Sequence, residues 1–161
     1  MTAGSAPVET GMIVVKGCRF PRRFVYDVPL HMWYEPLDGG LIRCGMTVVA
    51  VALADWRIFA FTPKRVGREV ERGHACATVE SSKWVGPARI AFDGIVESVN
   101  EALIDRPSGL VEDMYGEGWM LIARPMRSDA LDGLVTGDMI EPAYRAWMDQ
   151  NDFPGCEGAR P

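Results

Sequence analysis

One lysine, Lys83, stands out as a candidate for chemistry, at the centre of the stretch VESSKWVGPARIAFDG (79–94). A catalytic lysine needs burial or a neighbouring cation to lower its pKa, and this one has small hydroxyl neighbours instead. The flanking apolar runs predict two strands, with the lysine at the turn that joins them. A rigid turn projects a side chain outward and loses little entropy when another protein binds it. The stretch therefore predicts a lysine that a second protein reaches and modifies.

Cysteine and histidine form no comparable pattern. The four cysteines are scattered without a C-x-x-C pair and the sequence has only two histidines, so neither a zinc site nor a dithiol redox motif is predicted. We expect all four cysteines to be free thiols in a reducing compartment. Two of them lie inside apolar strand-like runs and are expected to be buried, namely Cys44 and Cys76. The other two are Cys18 and Cys156.

The composition is that of an ordinary globular domain. The chain has 161 residues, of which 48% are apolar and 24% charged, enough for one domain with a sizeable core. Its formal net charge of -5 and the lack of a basic patch argue against nucleic-acid binding. The first residues lack the basic start and apolar run of a signal peptide, and no apolar run is long enough to span a bilayer. We therefore expect a cytoplasmic protein that binds neither nucleic acid nor membrane.

Runs of β-branched and aromatic residues predict the elements that must position the lysine. MIVVKGCRF and RRFVYDV, broken by a glycine and a proline, predict an edge hairpin or an extension. LIRCG (41–45) and RIFAF (57–61) predict strands. The run MTVVAVAL (46–53) fits a strand by its valines and a short helix by the cap residue Thr47, and both alternatives stay open.

The second half of the chain begins with short strands and tight turns and ends with helices. Its turns are marked by regularly spaced glycines, which are Gly67, Gly73, Gly86 and Gly94. Further on, the segment from Ser128 to Leu134 predicts a short helix, and Pro142 opens a stronger one, PAYRAWMDQ. The last residues, NDFPGCEGARP (151–161), predict a flexible tail. Strands first and helices last predict a mainly β (α+β) fold.

The segment around Lys83 resembles the lipoyl-attachment segment of the glycine cleavage system H protein. The family pattern is VES-x-K, a loop, and a strand that opens with glycine, and here Glu80 and Gly94 stand on either side of the lysine at matching positions. Other family motifs follow in order, namely HMW (31–33), the glycine turn V-G-x-x-V-x-x-G (66–73), VNEAL (99–103), YGEGW (115–119) and the closing LDGL and AYRAWM. The resemblance covers about residues 30–150.

The resemblance implies a barrel-sandwich hybrid, the fold of lipoyl and biotinyl carriers, with short C-terminal helices and Lys83 on a β-turn. It also implies three parts of the chain: an N-terminal extension (1–29), a lipoyl-carrier domain (30–150) and the flexible tail (151–161).

Lipoate in amide linkage to Lys83 is the cofactor that the resemblance implies. Biotin carriers flank their lysine with methionines, whereas Ser82 and Trp84 stand here, which disfavours biotin. Glu80 and Gly94 occupy the positions that lipoate-attaching enzymes recognise in the family. The protein would be a carrier subunit of a multi-enzyme system and no enzyme itself, because the lipoyl arm carries the chemistry. The implied partners are lipoate–protein ligase or other lipoylation enzymes, and dihydrolipoyl dehydrogenase.

Departures from the H-protein pattern lie around the lysine and the first helix. Trp84 stands where the family favours a small residue, and Val48 and Val49 replace an Asp-Tyr pair. Trp84 either packs on the turn, shelters the dithiolane or contacts a partner. Relatives of the H protein occur in sulfur-oxidising bacteria beside heterodisulfide-reductase-like complexes. We expect this chain to be such a carrier, with sulfur-derived intermediates or electrons on its arm.

Two alternatives stay open. In the first, the chain is a glycine cleavage H protein that moves an aminomethyl group among the P, T and L proteins of that system. In the second, it is an unmodified binding module that kept the fold without the cofactor. The chemical state of Lys83 separates the second alternative from both carriers.

Overall fold

The computed structural model describes residues 11–156, and strands dominate it. We number the strands of the described chain β1 to β11 and its helices α1 to α4. The first six strands are β1 (Met12–Val15), β2 (Cys18–Pro21), β3 (Val25–Asp27), β4 (Met32–Pro36), β5 (Ile42–Met46) and β6 (Ile58–Pro63). The remaining strands are β7 (Glu69–Val70), β8 (Ala75–Ser81), β9 (Val85–Arg89), β10 (Gly94–Val99) and β11 (Leu121–Pro125). The helices are α1 (Val48–Leu53), α2 (Glu101–Asp105), α3 (Gly109–Glu112) and α4 (Ile140–Gln150).

The strands form antiparallel sheets, two of which share an apolar core. The larger has the order β3-β4-β5-β11-β10-β7, and the smaller has the order β6-β8-β9. In β8 the buried Ala77 and Val79 alternate with the exposed Thr78 and Glu80, because successive residues of a strand point to opposite faces. The inner residues of β8 thereby meet side chains of the larger sheet such as Tyr34.

A second apolar core lies between the separate β1–β2 hairpin and α4. The helix turns Ile140, Tyr144 and Met148 inward, since residues four apart lie on one helix face. The ring of Tyr144 stacks on that of Phe20 in β2, with centroids 4.2 Å apart. This stack joins the beginning of the described chain to its end.

Most of the predicted elements are found in the structure. LIRCG and RIFAF are confirmed as β5 and β6, and the first apolar run is confirmed as the β1–β2 hairpin. Most of the ambiguous run MTVVAVAL forms the helix α1, while its first residue, Met46, ends β5. Thr47 stands at the position before that helix, but its hydroxyl accepts a hydrogen bond from Tyr144 (3.4 Å) and makes no capping bond.

The C-terminal helices differ from the prediction. The helix predicted from Ser128 to Leu134 is wrong, because this segment consists of turns. Gly133 adopts a left-handed φ of 86°, and the next residues lead to Val135, which exchanges backbone hydrogen bonds with Tyr26 of β3. The stronger prediction is confirmed as α4, in which Pro142 lies in the first turn.

Both ends of the described chain are packed into the fold. Strand β3 pairs with β4 in the larger sheet, so the sheet continues across the expected boundary between residues 29 and 30. At the other end, Phe153 is buried in the second core. The prediction of a flexible tail is therefore wrong for residues 151–156, while 157–161 lie outside the described residues, as do residues 1–10 of the extension.

Cys18 and Cys156 form a disulfide with their Cα atoms 4.9 Å apart. The expectation of free thiols is wrong for this pair, because β2 and the chain after α4 meet only in the folded protein. Cys44 and Cys76 are confirmed as free and buried. A hydrogen bond with Cys76, together with burial, raises the pKa of the Cys44 thiol.

Within residues 11–156, no helix combines the length and apolar character needed to cross a membrane. The same residues contain no group of three or more histidine, cysteine or acidic side chains placed to hold a metal ion.

Candidate functional site

The structure places Lys83 at the tip of the β8–β9 hairpin, and the hydroxyl of Ser81 shapes that tip. Its Oγ accepts hydrogen bonds from the backbone N–H groups of Lys83 (3.2 Å) and Trp84 (3.1 Å). The hydroxyl and the backbone N–H of Ser81 both donate to the carbonyl of Trp84, over 3.0 and 2.9 Å. These four bonds hold residues 81–84 in one turn conformation.

Sequence reasoning treated Ser81 only as a small neighbour of the lysine and missed this bracing role. A signal was present, since a serine hydroxyl commonly bonds to backbone groups two or three residues further along a turn.

Lys83 differs from the other lysines of the sequence, which has three in all. Lys16 pairs with Asp149 over 2.6 Å, and the Lys64 ammonium donates to the carbonyl of Glu69 over 3.1 Å. The side chain of Lys83 is exposed and its ammonium makes no hydrogen bond or ion pair with the described residues. Modifying its ε-amine would therefore break no internal contact.

Glu80 lies on the outer face of the smaller sheet, beside the tip. In the sheet register it stands opposite Ala60 of β6 and Val85 of β9. Its carboxylate is exposed and has no ion-pair partner among residues 11–156. The carboxylate is thus available to a partner protein.

Gly94 lies in the larger sheet, away from the hairpin, at the start of β10. It pairs with Pro125 of β11 on one side and with Val70 of β7 on the other. A Cβ atom at this position would stand 2.6 Å from the backbone carbonyl oxygen of Arg124. Glycine is needed here for the close approach of β11, and its own φ is not in the left-handed region.

Trp84 packs back onto the body of the protein. Its indole N–H donates to the carbonyl of Leu53 at the end of α1, over 3.3 Å. One face of the side chain lines a small cavity of about 180 Å³, which we call the tryptophan slot. The slot is lined by Leu30, His31, Met32, Met46, Ala50, Leu53, Trp84, Pro87 and Ala88.

His31 is the slot residue with the most unusual environment. It has a left-handed φ of 57°, and its ring lies edge-on to Trp147 at a centroid distance of 4.4 Å. Its Nδ1 is buried without a hydrogen-bond partner among the described residues. Burial lowers the pKa of His31 to about 4, so the imidazole is uncharged near neutral pH.

The structure thus brings together three of the four residues predicted for the site. Glu80, Lys83 and Trp84 share one hairpin, whereas Gly94 lies in the other sheet, packed against β11. Two sheets that share a core without closing into a barrel, with an exposed lysine on a tight hairpin, define the barrel-sandwich hybrid of carrier proteins. This confirms the predicted fold, although one C-terminal helix is present where two were expected.

The family is shown by comparison with known proteins. The family model of the glycine cleavage H-protein matches residues 25–146, and the chain belongs to this family. Glycine cleavage system H protein 5 of Aquifex aeolicus (strain VF5) is 36% identical over 140 residues, which are 81% of this chain and 93% of that protein. H protein 2 of the same organism is 32% identical over 138 residues, which are 85% of each chain.

A solved structure agrees with this assignment. The crystal structure of a glycine cleavage system H protein from Mycobacterium marinum aligns with a TM-score of 0.66 at 30% identity. The alignment covers 83% of this chain and 100% of that one. The resemblance to H proteins is therefore confirmed, whereas none of these three relatives bears a name from sulfur oxidation.

Membership of this family identifies the cofactor and the kind of protein. H proteins carry covalently attached lipoate on a lysine, and they are carrier subunits, not catalysts. The residues of this chain fit that group, because Lys83 offers a free, exposed ε-amine on a braced turn next to an apolar slot.

Proposed function

We propose that this protein is a lipoyl carrier of the glycine cleavage type, with lipoate attached to the Nζ of Lys83. The observation that carries the proposal is the exposed ammonium of Lys83 on the serine-braced turn, which has no partner among residues 11–156. In this role the protein moves an aminomethyl group among the P, T and L proteins, and it turns over no substrate by itself.

The chain and the cofactor would divide the work between them. When bound, lipoate supplies thiol–disulfide exchange and group transfer through its two sulfur atoms. Strands β8 and β9 anchor the arm, and the bonds of Ser81 keep its origin fixed relative to the protein surface. Tethering in this way holds the reactive end near a docked partner at high effective concentration.

Intact mass spectrometry of the protein purified from its own host tests the attachment site. We expect the mass of one lipoyl group above the chain mass in the wild type, and no addition in Lys83→Arg. Lys64→Arg is the matched control, and it should keep the addition. An unmodified wild-type protein would support the binding-module alternative. A lipoyl mass that persists in Lys83→Arg would show that lipoate is attached to another residue.

The roles of Glu80 and Gly94 in lipoylation are part of the same proposal. Glu80 presents a carboxylate that no described residue pairs with, three residues before the lysine, where a cation of the attaching enzyme can reach it. Gly94 acts indirectly, because it lets β10 approach β11 and so preserves the larger sheet against which the β8–β9 hairpin packs. Glu80→Gln should slow lipoylation with little change in Tm, because an exposed carboxylate contributes little to stability. A wild-type rate of lipoylation for this variant would contradict its role.

One observation favours a second candidate, a carrier of sulfur-derived groups for a heterodisulfide-reductase-like complex. The tryptophan slot contains no carboxylate, and its histidine is uncharged near neutral pH. A cargo with an ammonium group would find no counter-ion in the slot, whereas an uncharged sulfur group could be buried there without a charge penalty.

Reconstitution separates the two candidates. Lipoylated protein mixed with P, T and L proteins should release carbon dioxide from glycine if the first candidate is right. No release, combined with reduction of the arm by a heterodisulfide-reductase-like complex, would replace the first candidate with the second. The same mixture with Lys83→Arg is the control for release that does not need the arm.

A further inference from the structure

The outer face of the β6-β8-β9 sheet carries two large apolar side chains beside Glu80. Phe59 of β6 is 64% exposed, and Val85 of β9 is 67% exposed. Val85 stands directly opposite Glu80 in the sheet register. On the other side, a bulge between Ile58 and Ala60 makes Phe59 and Ala60 together oppose Glu80. We call Phe59, Glu80 and Val85 the tip patch.

The tip patch has the composition of a small binding surface. Single exposed apolar residues are common on proteins and carry no functional meaning by themselves. Here two of them flank a carboxylate that has no ion-pair partner in the described chain, so the patch offers a partner both apolar contact and one charge. A partner surface that complements this patch would place a cation opposite Glu80 and apolar groups opposite Phe59 and Val85.

The position of the tip patch next to Lys83 indicates which partner protein would contact it. Val85 follows the lysine by two positions and Glu80 precedes it by three. Acylation requires that the Nζ of Lys83 contact an activated carbonyl, so the enzyme that attaches lipoate must cover the residues beside the lysine. Enzymes that act later react with the sulfur atoms at the other end of the arm, so they need not cover these residues.

We propose that the tip patch is the docking surface for the lipoate-attaching enzyme. Phe59 and Val85 are apolar anchors in this contact, and Glu80 pairs with a cation of the enzyme. The inference rests on the proposed function, in that Lys83 is the lipoylated residue.

The reaction that this docking serves balances without any redox partner. The neutral amine of Lys83 attacks the carbonyl carbon of a lipoyl adenylate, and an amide bond forms. The bond between that carbonyl and the phosphate oxygen breaks, AMP leaves with the bonding electrons, and the amine proton passes to solvent. Docking contributes by holding Lys83 at the carbonyl, so its loss should appear mainly in KM for the carrier.

The test measures lipoylation of the unmodified full-length chain by purified lipoate–protein ligase with lipoate and ATP, followed by intact mass against time. Phe59→Ser and Val85→Ser should each lower kcat/KM about tenfold, with most of the effect in KM, as loss of an interface anchor does. Val14→Ser is the matched control, because Val14 is also a strand valine and is 50% exposed, but lies on the separate β1–β2 hairpin.

Each outcome either supports the tip patch as the docking surface or overturns it. A fall in kcat/KM that is confined to Phe59→Ser and Val85→Ser supports the tip patch, provided that their Tm and the kcat/KM of Val14→Ser stay at the wild-type values. A wild-type kcat/KM in both variants, an equal loss in Val14→Ser, or a fall in kcat with unchanged KM would overturn it while leaving Lys83 as the attachment site. A wild-type chain that the ligase does not modify at all would instead overturn the proposed function itself.

Discussion

Gly94 is confined by the backbone of a neighbouring strand. The carbonyl oxygen of Arg124 stands where a side chain would begin, so even a methyl group would force β10 and β11 apart. Gly86 is also a strand glycine, but a Cβ atom there would make only an ordinary contact of 3.6 Å with the Trp84 ring. Two glycines of similar appearance in the sequence therefore differ in what they tolerate.

We predict that Gly94→Ala lowers the free energy of unfolding by about 1 to 3 kcal/mol, the usual cost of forcing extra atoms into a packed site. Gly86→Ala should be close to neutral. Urea denaturation of both variants measures the difference, and equal midpoints for the two would show that the close approach to Arg124 is not limiting.

His31 couples stability to pH. Burial lowers its pKa in the folded protein to about 4, below the value of about 6.5 in an unfolded chain. Between these values the unfolded state binds more protons, so stability rises with pH across this range. The contribution of His31 is complete above pH 6.5 and is lost as the pH falls towards 4.

We predict a loss of up to about 3 kcal/mol of stability through His31 between pH 6.5 and pH 4. His31→Asn should reduce this dependence, because asparagine does not titrate and tolerates the left-handed backbone of this position. Urea denaturation at a series of pH values compares the two proteins. The same slope in the variant would assign the pH dependence to carboxylates instead.

Among the elements, the β1–β2 hairpin is attached to the end of the chain by several independent contacts. The disulfide joins Cys18 of β2 to Cys156, across a sequence separation of 138 residues. The backbone N–H of Cys156 donates to the carbonyl of Lys16 over 2.9 Å, and the Lys16 ammonium pairs with Asp149 of α4. The hairpin, α4 and the residues after it thus form one packed unit.

We predict that removing the disulfide with Cys18→Ala and Cys156→Ala lowers the free energy of unfolding by about 2 to 5 kcal/mol, because the loop it closes is long. The free energy of unfolding of the wild type should fall by a similar amount once the disulfide has been reduced. The double variant should not respond to reductant, since Cys44 and Cys76 are already thiols. A wild type whose unfolding is unaffected by reductant would contradict the prediction.

At the scale of the whole molecule, the carrier sheets and the hairpin unit depend on each other. Phe24 stacks on Trp33 of β4 with ring centroids 4.5 Å apart, and the Trp33 indole N–H donates to the carbonyl of Met114 over 3.0 Å. Strand β3 adds to the larger sheet beside β4. Residues before position 30 therefore support the domain that carries the lysine.

We predict that a chain beginning at residue 30 loses cooperative unfolding, because it exposes Trp33 and Tyr144 to water and makes β4 the edge strand of the larger sheet. A chain beginning at Gly11 is the control and should unfold cooperatively. Near-ultraviolet circular dichroism during thermal unfolding follows both. A sharp transition in the shorter chain would establish residues 30–150 as an independent domain.

The sequence by itself determined the features that depend on a few neighbouring residues. The strands LIRCG and RIFAF, the turn at Lys83 and the start of α4 near Pro142 follow from alternation, turn chemistry and the geometry of proline, which act over short distances. The family motifs around Lys83 are equally local.

Only the tertiary structure decided the features that join distant parts of the chain. The Cys18–Cys156 disulfide, the tryptophan slot between Leu30, Ala50 and Trp84, and the low pKa of His31 all depend on such contacts. The choice of helix for MTVVAVAL belongs here too, because both periodicities fit the run locally. The physical reason is that burial and close approach are set by whichever segments meet in the folded core, and no short stretch of sequence records that meeting.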